Sequence, residues 1–198
     1  MIKRISTLIF VLGLVSLGAT NAGAQANLKD EPLIYAAVID ELFSGTKVSD
    51  KPIKLLLLEN QTRFDDFEGE KVVNAKVATS PFKDVKPETM ESFIRQNAQR
   101  SPLTASVKAS VKVQLIESDL AQETVSGSKW KKLYAAIPDS SGIISLSKIG
   151  FDKEGKQALV YVAHVYGEDS GRGTILLLQK TGQQWKVQDK LFAWVWTG

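Results

Sequence analysis

The chain carries one histidine, His164, within ALVYVAHVYGEDSGRGTILLLQK, residues 158–180. Imidazole is the side chain whose ordinary pKa lies closest to neutrality, which makes His164 the first candidate for proton transfer or ligand contact. In a concave sheet face near Tyr161 or Tyr166 and Trp194, it would act as a general base or ligand contact whose pKa is tuned by burial. The competing reading is a neutral, hydrogen-bonded histidine at the rim of the core. Arg172, in GEDSGRG, is a candidate anion contact. That run otherwise suits a strand-connecting turn, since glycines supply backbone freedom and its polar residues suit solvent. A phosphate-cradling loop runs from a strand into a helix, whereas TILLLQK continues as strand. The alternating carboxylates of a calcium loop are missing.

Other chemistries are poorly provisioned. The chain has no cysteine, which removes thiol nucleophiles, redox motifs and thiolate metal sites. A zinc site built with one histidine needs carboxylates for most of its ligands, so no metal or cofactor is expected. A Ser-His-Asp hydrolase would need His164 on a loop, and no G-x-S-x-G elbow is present. Asp65, Asp66, Glu68 and Glu70 can supply calcium ligands or an acid/base pair. Their spacing satisfies no ligand pattern, and they read as a solvated loop. Asn60-Gln61-Thr62 is a glycosylation triplet in a host that modifies secreted proteins. Lys129, Lys131 and Lys132 read as a solvated helix face. Trp130, Trp185, Trp194 and Trp196 either complete a core or line a cleft.

The elements that must position these residues follow from periodicity. DEPLIYAAVIDELFSG repeats apolar residues at helical spacing, with Asp30 as cap, Pro32 in the first turn and Gly45 as stop. Ile53 to Leu58 read as a strand buried on both faces. PETMESFIRQNAQ is a second helix, with Met90, Phe93, Ile94 and Asn97 on one face. Residues 105–116 alternate as a strand. SKWKKLYAAIP is a third helix, capped by Ser128. The last sixty or so residues read as a meander: IISLSKIGF pairs with QALVYVAHVY across DKEGK, and TILLLQK with QWKVQDKLFAWVW across residues 180–183. In the strand 158–166, Ala158, Val160, Val162, His164 and Tyr166 share one face, and Leu159, Tyr161, Ala163 and Val165 the other. The expected class is α+β: a single domain with N-terminal helices packed on a mainly antiparallel C-terminal β-meander.

The N-terminus MIKRISTLIFVLGLVSLGATNAGAQA has a short basic region, an apolar segment and small residues suited to cleavage between Ala24 and Ala26. It reads as a secretory signal peptide over 1–26, followed by one domain over 27–198. With no cysteine at the cleavage region, lipid anchoring is not expected. No later segment reaches the ~18 apolar residues of a spanning helix, so no transmembrane segment is expected after signal removal. The expected location is periplasmic or secreted. Loss of Lys3 and Arg4 takes the 25 basic residues to 23 against 22 acidic ones, a net charge of +1. That balance calls for neither nucleic acid nor an anionic membrane as partner.

Gly142-Ile143-Ile144, Leu146-Ser147, Gly150-Phe151, Ala158 to Val162, Gly171, Gly173 and Gly182 with Trp185-Lys186-Val187 form a recurring order. It resembles the C-terminal half of a loosely defined group of exported bacterial proteins without an assigned activity. The final hairpin is similar to that of NTF2-like and cystatin-like domains. The resemblance implies export and a single α+β domain, and transfers no catalytic residue. The leading expectation is a non-catalytic binding or accessory protein of the cell envelope, whose partner is a protein, a peptide or an envelope component. The alternative is a small pocket enzyme or lipophilic-ligand carrier with a sheet-lined cavity. The first predicts an exposed apolar patch on a filled core, the second a cavity of at least ~300 Å³ with polar groups converging inside. A structural assembly subunit would instead show a long open sheet edge.

Overall fold

The structure is a computed structural model that describes residues 19–62, 82, 84–103 and 106–197, with side chains described from Lys29 onward. The carboxylate cluster Asp65 to Glu70 and residues 1–18 of the expected leader lie outside the described residues. Helix α1 (Ala19–Phe43) is followed by the short hairpin β1 (Lys47–Val48) and β2 (Lys51–Pro52), then β3 (Leu55–Glu59) and α2 (Pro87–Gln96). Next come β4 (Lys112–Ile116), α3 (Ser118–Ser126), α4 (Trp130–Ala136), β5 (Ser140–Leu146) and β6 (Gly150–Phe151). The chain ends in three long strands, β7 (Gln157–Gly167), β8 (Ser170–Thr181) and β9 (Gln184–Trp196). These elements form the expected α+β arrangement.

The main sheet has the order β4-β3-β5-β7-β8-β9, and β6 extends the β5 side of β7. Strand β3 runs parallel to both β4 and β5, and the other pairs are antiparallel. A parallel neighbour requires a crossover, which α2 supplies between β3 and β4 and the α3–α4 pair between β4 and β5. One face of the sheet buries Leu56, Leu58, Val160, Val162, Leu176 and Leu178 against Ile34, Tyr35, Val38, Ile39, Leu42 and Phe43 of α1. The opposite face packs Leu159, Tyr161, Ile175 and Leu177 with Phe93 of α2. Farther along that face, Leu55, Leu57, Ile143 and Val165 pack with Ala121 of α3 and with Trp130 and Leu133 of α4. The result is three layers, α1 on one side of the sheet and the remaining helices on the other.

Several expectations change on contact with the tertiary structure. Helix α1 begins at Ala19 rather than at Asp30, and Pro32 lies inside it. Asp30 is no cap: its carboxylate accepts from Lys180 at 2.6 Å, while Glu31 faces Lys148 at 3.9 Å. Only 112–116 of the expected strand 105–116 is strand. Val107, Ala109 and Val111 pack on the α1 cluster instead, and Asp40 holds the Ser110 N–H and hydroxyl, each at 2.6 Å. Helix α3 leaves no periodic signal in the sequence, because its buried face is Ser118, Ala121 and Thr124, too small and polar to mark a stripe. Ser128 does not cap α4. It takes a left-handed φ of 51°, and α4 starts after Lys129 without a side-chain cap.

The hairpins follow the sequence closely. Thr181 pairs with Gln184 around Gly182, whose φ is +62°, as a two-residue turn requires. In GEDSGRG only Glu168 and Asp169 make the turn, because Gly167 already pairs with Ser170, and SGRG belongs to β8. At the other end of the sheet, Asn60 Oδ1 accepts both the N–H (3.1 Å) and the hydroxyl (3.0 Å) of Ser118 at the start of α3. Its Nδ2 donates to Glu117 at 2.6 Å.

Candidate functional site

His164 lies toward the end of β7, paired on both sides, opposite Ile144 of β5 and Arg172 of β8. It is 2% exposed. Nε2 lies 2.7 Å from the Ser141 carbonyl, which assigns the ring proton to Nε2 as donor. Phe43, at the end of α1, meets the imidazole edge-on at 5.0 Å, and Tyr166 lies against it at 5.0 Å. Burial pushes the imidazole pKa down to about 4; the Ser141 carbonyl opposes this and the Arg172 charge reinforces it. The ring is therefore neutral at ordinary pH and buried.

Arg172 is half-buried in the same corner. Its Nη2 donates to the Leu42 carbonyl at 3.3 Å and its guanidinium lies 5.9 Å from the centre of the Phe43 ring. A cation at the last turn of a helix meets the negative end of the helix dipole, and Arg172 performs that task for α1. Tyr166 offers its backbone carbonyl to the Tyr134 hydroxyl at 2.8 Å. Burial pushes that Tyr134 hydroxyl up to about 12, which keeps it protonated as a donor.

Tyr161 and Trp194 occupy the opposite face. The Trp194 indole N–H donates to the Tyr161 hydroxyl at 2.9 Å, and Trp194 stacks on Trp196 at 4.6 Å. The indole lies directly over the backbone of β8: a Cβ on Gly173 would stand 2.2 Å from Trp194 Nε1. The sheet thus divides the five candidates into two groups, His164, Tyr166 and Arg172 beneath α1, and Tyr161 with Trp194 on the far side. Their side chains therefore do not converge on one face of the sheet.

Among the described residues, one concavity open to solvent lies at the rim, where the β7–β8 turn meets the end of β9. It has a volume of about 520 Å³ and is lined by Glu168, Asp169, Val195, Trp196 and Thr197. Both carboxylates are exposed, and Val195 is 56% exposed. Glu168 and Asp169 are the polar turn residues that the sequence suits to solvent. Their proximity to Val195 and Trp196 arises from the β8–β9 register, which pairs Gly171 with Trp196 and Arg172 with Val195. Among the described residues no group of three His, Cys, Asp or Glu side chains is placed to hold a metal ion. No helix among them is long and apolar enough to cross a membrane.

No family model, no curated protein and no solved structure matches the chain.

Proposed function

We propose that the protein is a non-catalytic, exported binding domain of the cell envelope, and that the rim pocket beside the β7–β8 turn is its contact site. The observation that carries this reading is the contrast between the two places where chemistry concentrates. The imidazole is enclosed by Phe43, Tyr166 and the Ser141 carbonyl, whereas Glu168 and Asp169 face solvent beside an apolar wall of Val195 and Trp196. Carboxylates next to an aromatic and an aliphatic side chain suit a partner that presents a cationic group beside an apolar one, such as a basic peptide segment or an amine-bearing envelope component. Export rests on the leader-like N-terminus and on the resemblance of residues 133–196 to exported proteins.

The test is an NMR titration of the processed chain with lysine- and arginine-bearing peptides and with amine-bearing envelope fragments. Saturable shifts centred on Glu168–Ser170 and Val195–Thr197 are expected, weakened about tenfold or more by Glu168→Gln combined with Asp169→Asn. Shifts that instead centre on His164 and Phe43, or turnover of an added substrate that His164→Gln abolishes, overturn the reading in favour of a pocket enzyme.

A further inference from the structure

We propose that β4 is an edge through which two copies of this chain associate, by antiparallel pairing of Lys112–Ile116 with the same segment of a second copy. Among the described residues, strand β4 is one margin of the sheet and pairs with β3 on one side only. The Ile116 carbonyl accepts the Asn60 N–H at 2.9 Å. By the alternation of a strand, the backbone groups of Lys112, Gln114 and Ile116 turn toward β3, and those of Val113 and Leu115 turn outward. Among the described residues, no backbone partner meets those outward groups. Leu115 is 53% exposed although its register partner Leu58 is buried. The segment has no proline, and its one charge sits at its first residue, leaving Val113 to Ile116 uncharged.

The occupant follows from self-complementarity. Pairing centred on Gln114 sets Val113 opposite Leu115 of the second copy, twice by symmetry. Both residues carry outward backbone groups, so each pair exchanges its two N–H···O bonds while its apolar side chains meet on the α1 face. A five-residue strand buries less than the ~1,200–2,000 Å² of a stable interface, which makes the association weak and concentration-dependent. Strands β4 and β9 are opposite margins of the sheet, so this contact is separate from the rim pocket and stands or falls without it.

The chain has no cysteine, so Gln114→Cys places a lone thiol on the two-fold axis. There the facing Cα atoms of a non-hydrogen-bonded pair lie ~4.5 Å apart, within disulfide reach. Mild oxidation of the processed full chain is expected to yield covalent dimer from Gln114→Cys and about tenfold less from Val113→Cys, whose thiols the register holds apart. Sedimentation equilibrium of the unsubstituted chain is expected to show a monomer–dimer equilibrium. Leu115→Lys should raise its dissociation constant about tenfold or more, with an unchanged unfolding midpoint because the residue is exposed. A chain that sediments as monomer at every concentration, with the two thiols cross-linking equally slowly, overturns the proposal. So does a β4 whose amides gain exchange protection only on addition of a foreign peptide, which assigns the edge to another partner.

Discussion

His164 illustrates how a residue type suggests chemistry that its surroundings withhold. Its folded pKa of about 4 lies below the ~6.5 of an unfolded chain. Between those values the unfolded chain binds more protons. Stability is therefore fully present above about pH 6.5 and declines as the pH falls toward 4, by on the order of 3 kcal/mol in all. Urea unfolding across this range checks the slope, and His164→Gln should flatten it. A second residue-scale prediction concerns Gly173. Gly173→Ala drives a methyl into the Trp194 indole, so it should destabilise by ~1–3 kcal/mol as an overpacked site and change the near-ultraviolet circular dichroism of the tryptophans. Alternation alone already placed Tyr161 on the face away from His164 and Tyr166, and that separation was legible in the sequence. The role of Arg172 was not, because its acceptor, the Leu42 carbonyl, lies 130 positions away in the chain.

At the scale of elements, the legible parts are those with a strong internal period. The long antiparallel strands and their turns, and the cores of α1, α2 and α4, follow from repeats of two or of about 3.6 residues. The misread parts owe their form to distant partners. Residues 106–111 alternate like a strand because Val107, Ala109 and Val111 face a helix. Strand β9 changes face midway: Trp185 and Val187 pack toward α1, whereas Leu191 and Ala193 pack toward α2. Register shifts in the β8–β9 ladder cause the change, since one extra residue inverts every side chain beyond it. Helix α2 likewise depends on a remote residue. It has no side-chain cap of its own; Gln157 Oε1 accepts the Lys86 N–H at 2.8 Å and the Thr89 hydroxyl at 2.9 Å, and Gln157 Nε2 donates to the Asp84 carbonyl at 2.9 Å. Gln157→Leu is expected to cost ~1–3 kcal/mol by leaving buried groups unpaired, and to speed amide exchange in the first turn of α2 before the rest of the molecule. Uniform exchange enhancement throughout the sheet would contradict this local role.

For the whole molecule, the layered arrangement decides where function can reside. Both faces of the central strands are covered by helices, so the side chains of those strands are committed to packing. Helix α1 is fastened at both ends of its packed length, by Asp30 to Lys180 and Glu31 to Lys148 near its start and by Arg172 to the Leu42 carbonyl at its finish. Removing the half-buried Lys180–Asp30 contact with Lys180→Met should lower the unfolding midpoint without altering binding at the rim pocket. Thermal unfolding and the peptide titration, run on the same variant, separate the two effects. A variant that loses binding in proportion to stability would tie the pocket to α1 packing.

The Asn60 amide has a practical consequence for making the protein. Asn60-Gln61-Thr62 is an acceptor triplet for N-linked sugar, yet Asn60 already joins β3 to the start of α3, and the buried Thr62 hydroxyl donates to the Ser101 carbonyl. A sugar on Nδ2 must displace Glu117. In a eukaryotic secretory pathway, attachment to the nascent chain would compete with closure of this corner, and the glycosylated fraction should misfold and be retained in the cell. Thr62→Val removes the acceptor while keeping the side-chain shape, at the cost of the two hydrogen bonds its hydroxyl makes with the Ser101 backbone, and restored secretory yield would identify the sugar as the obstacle.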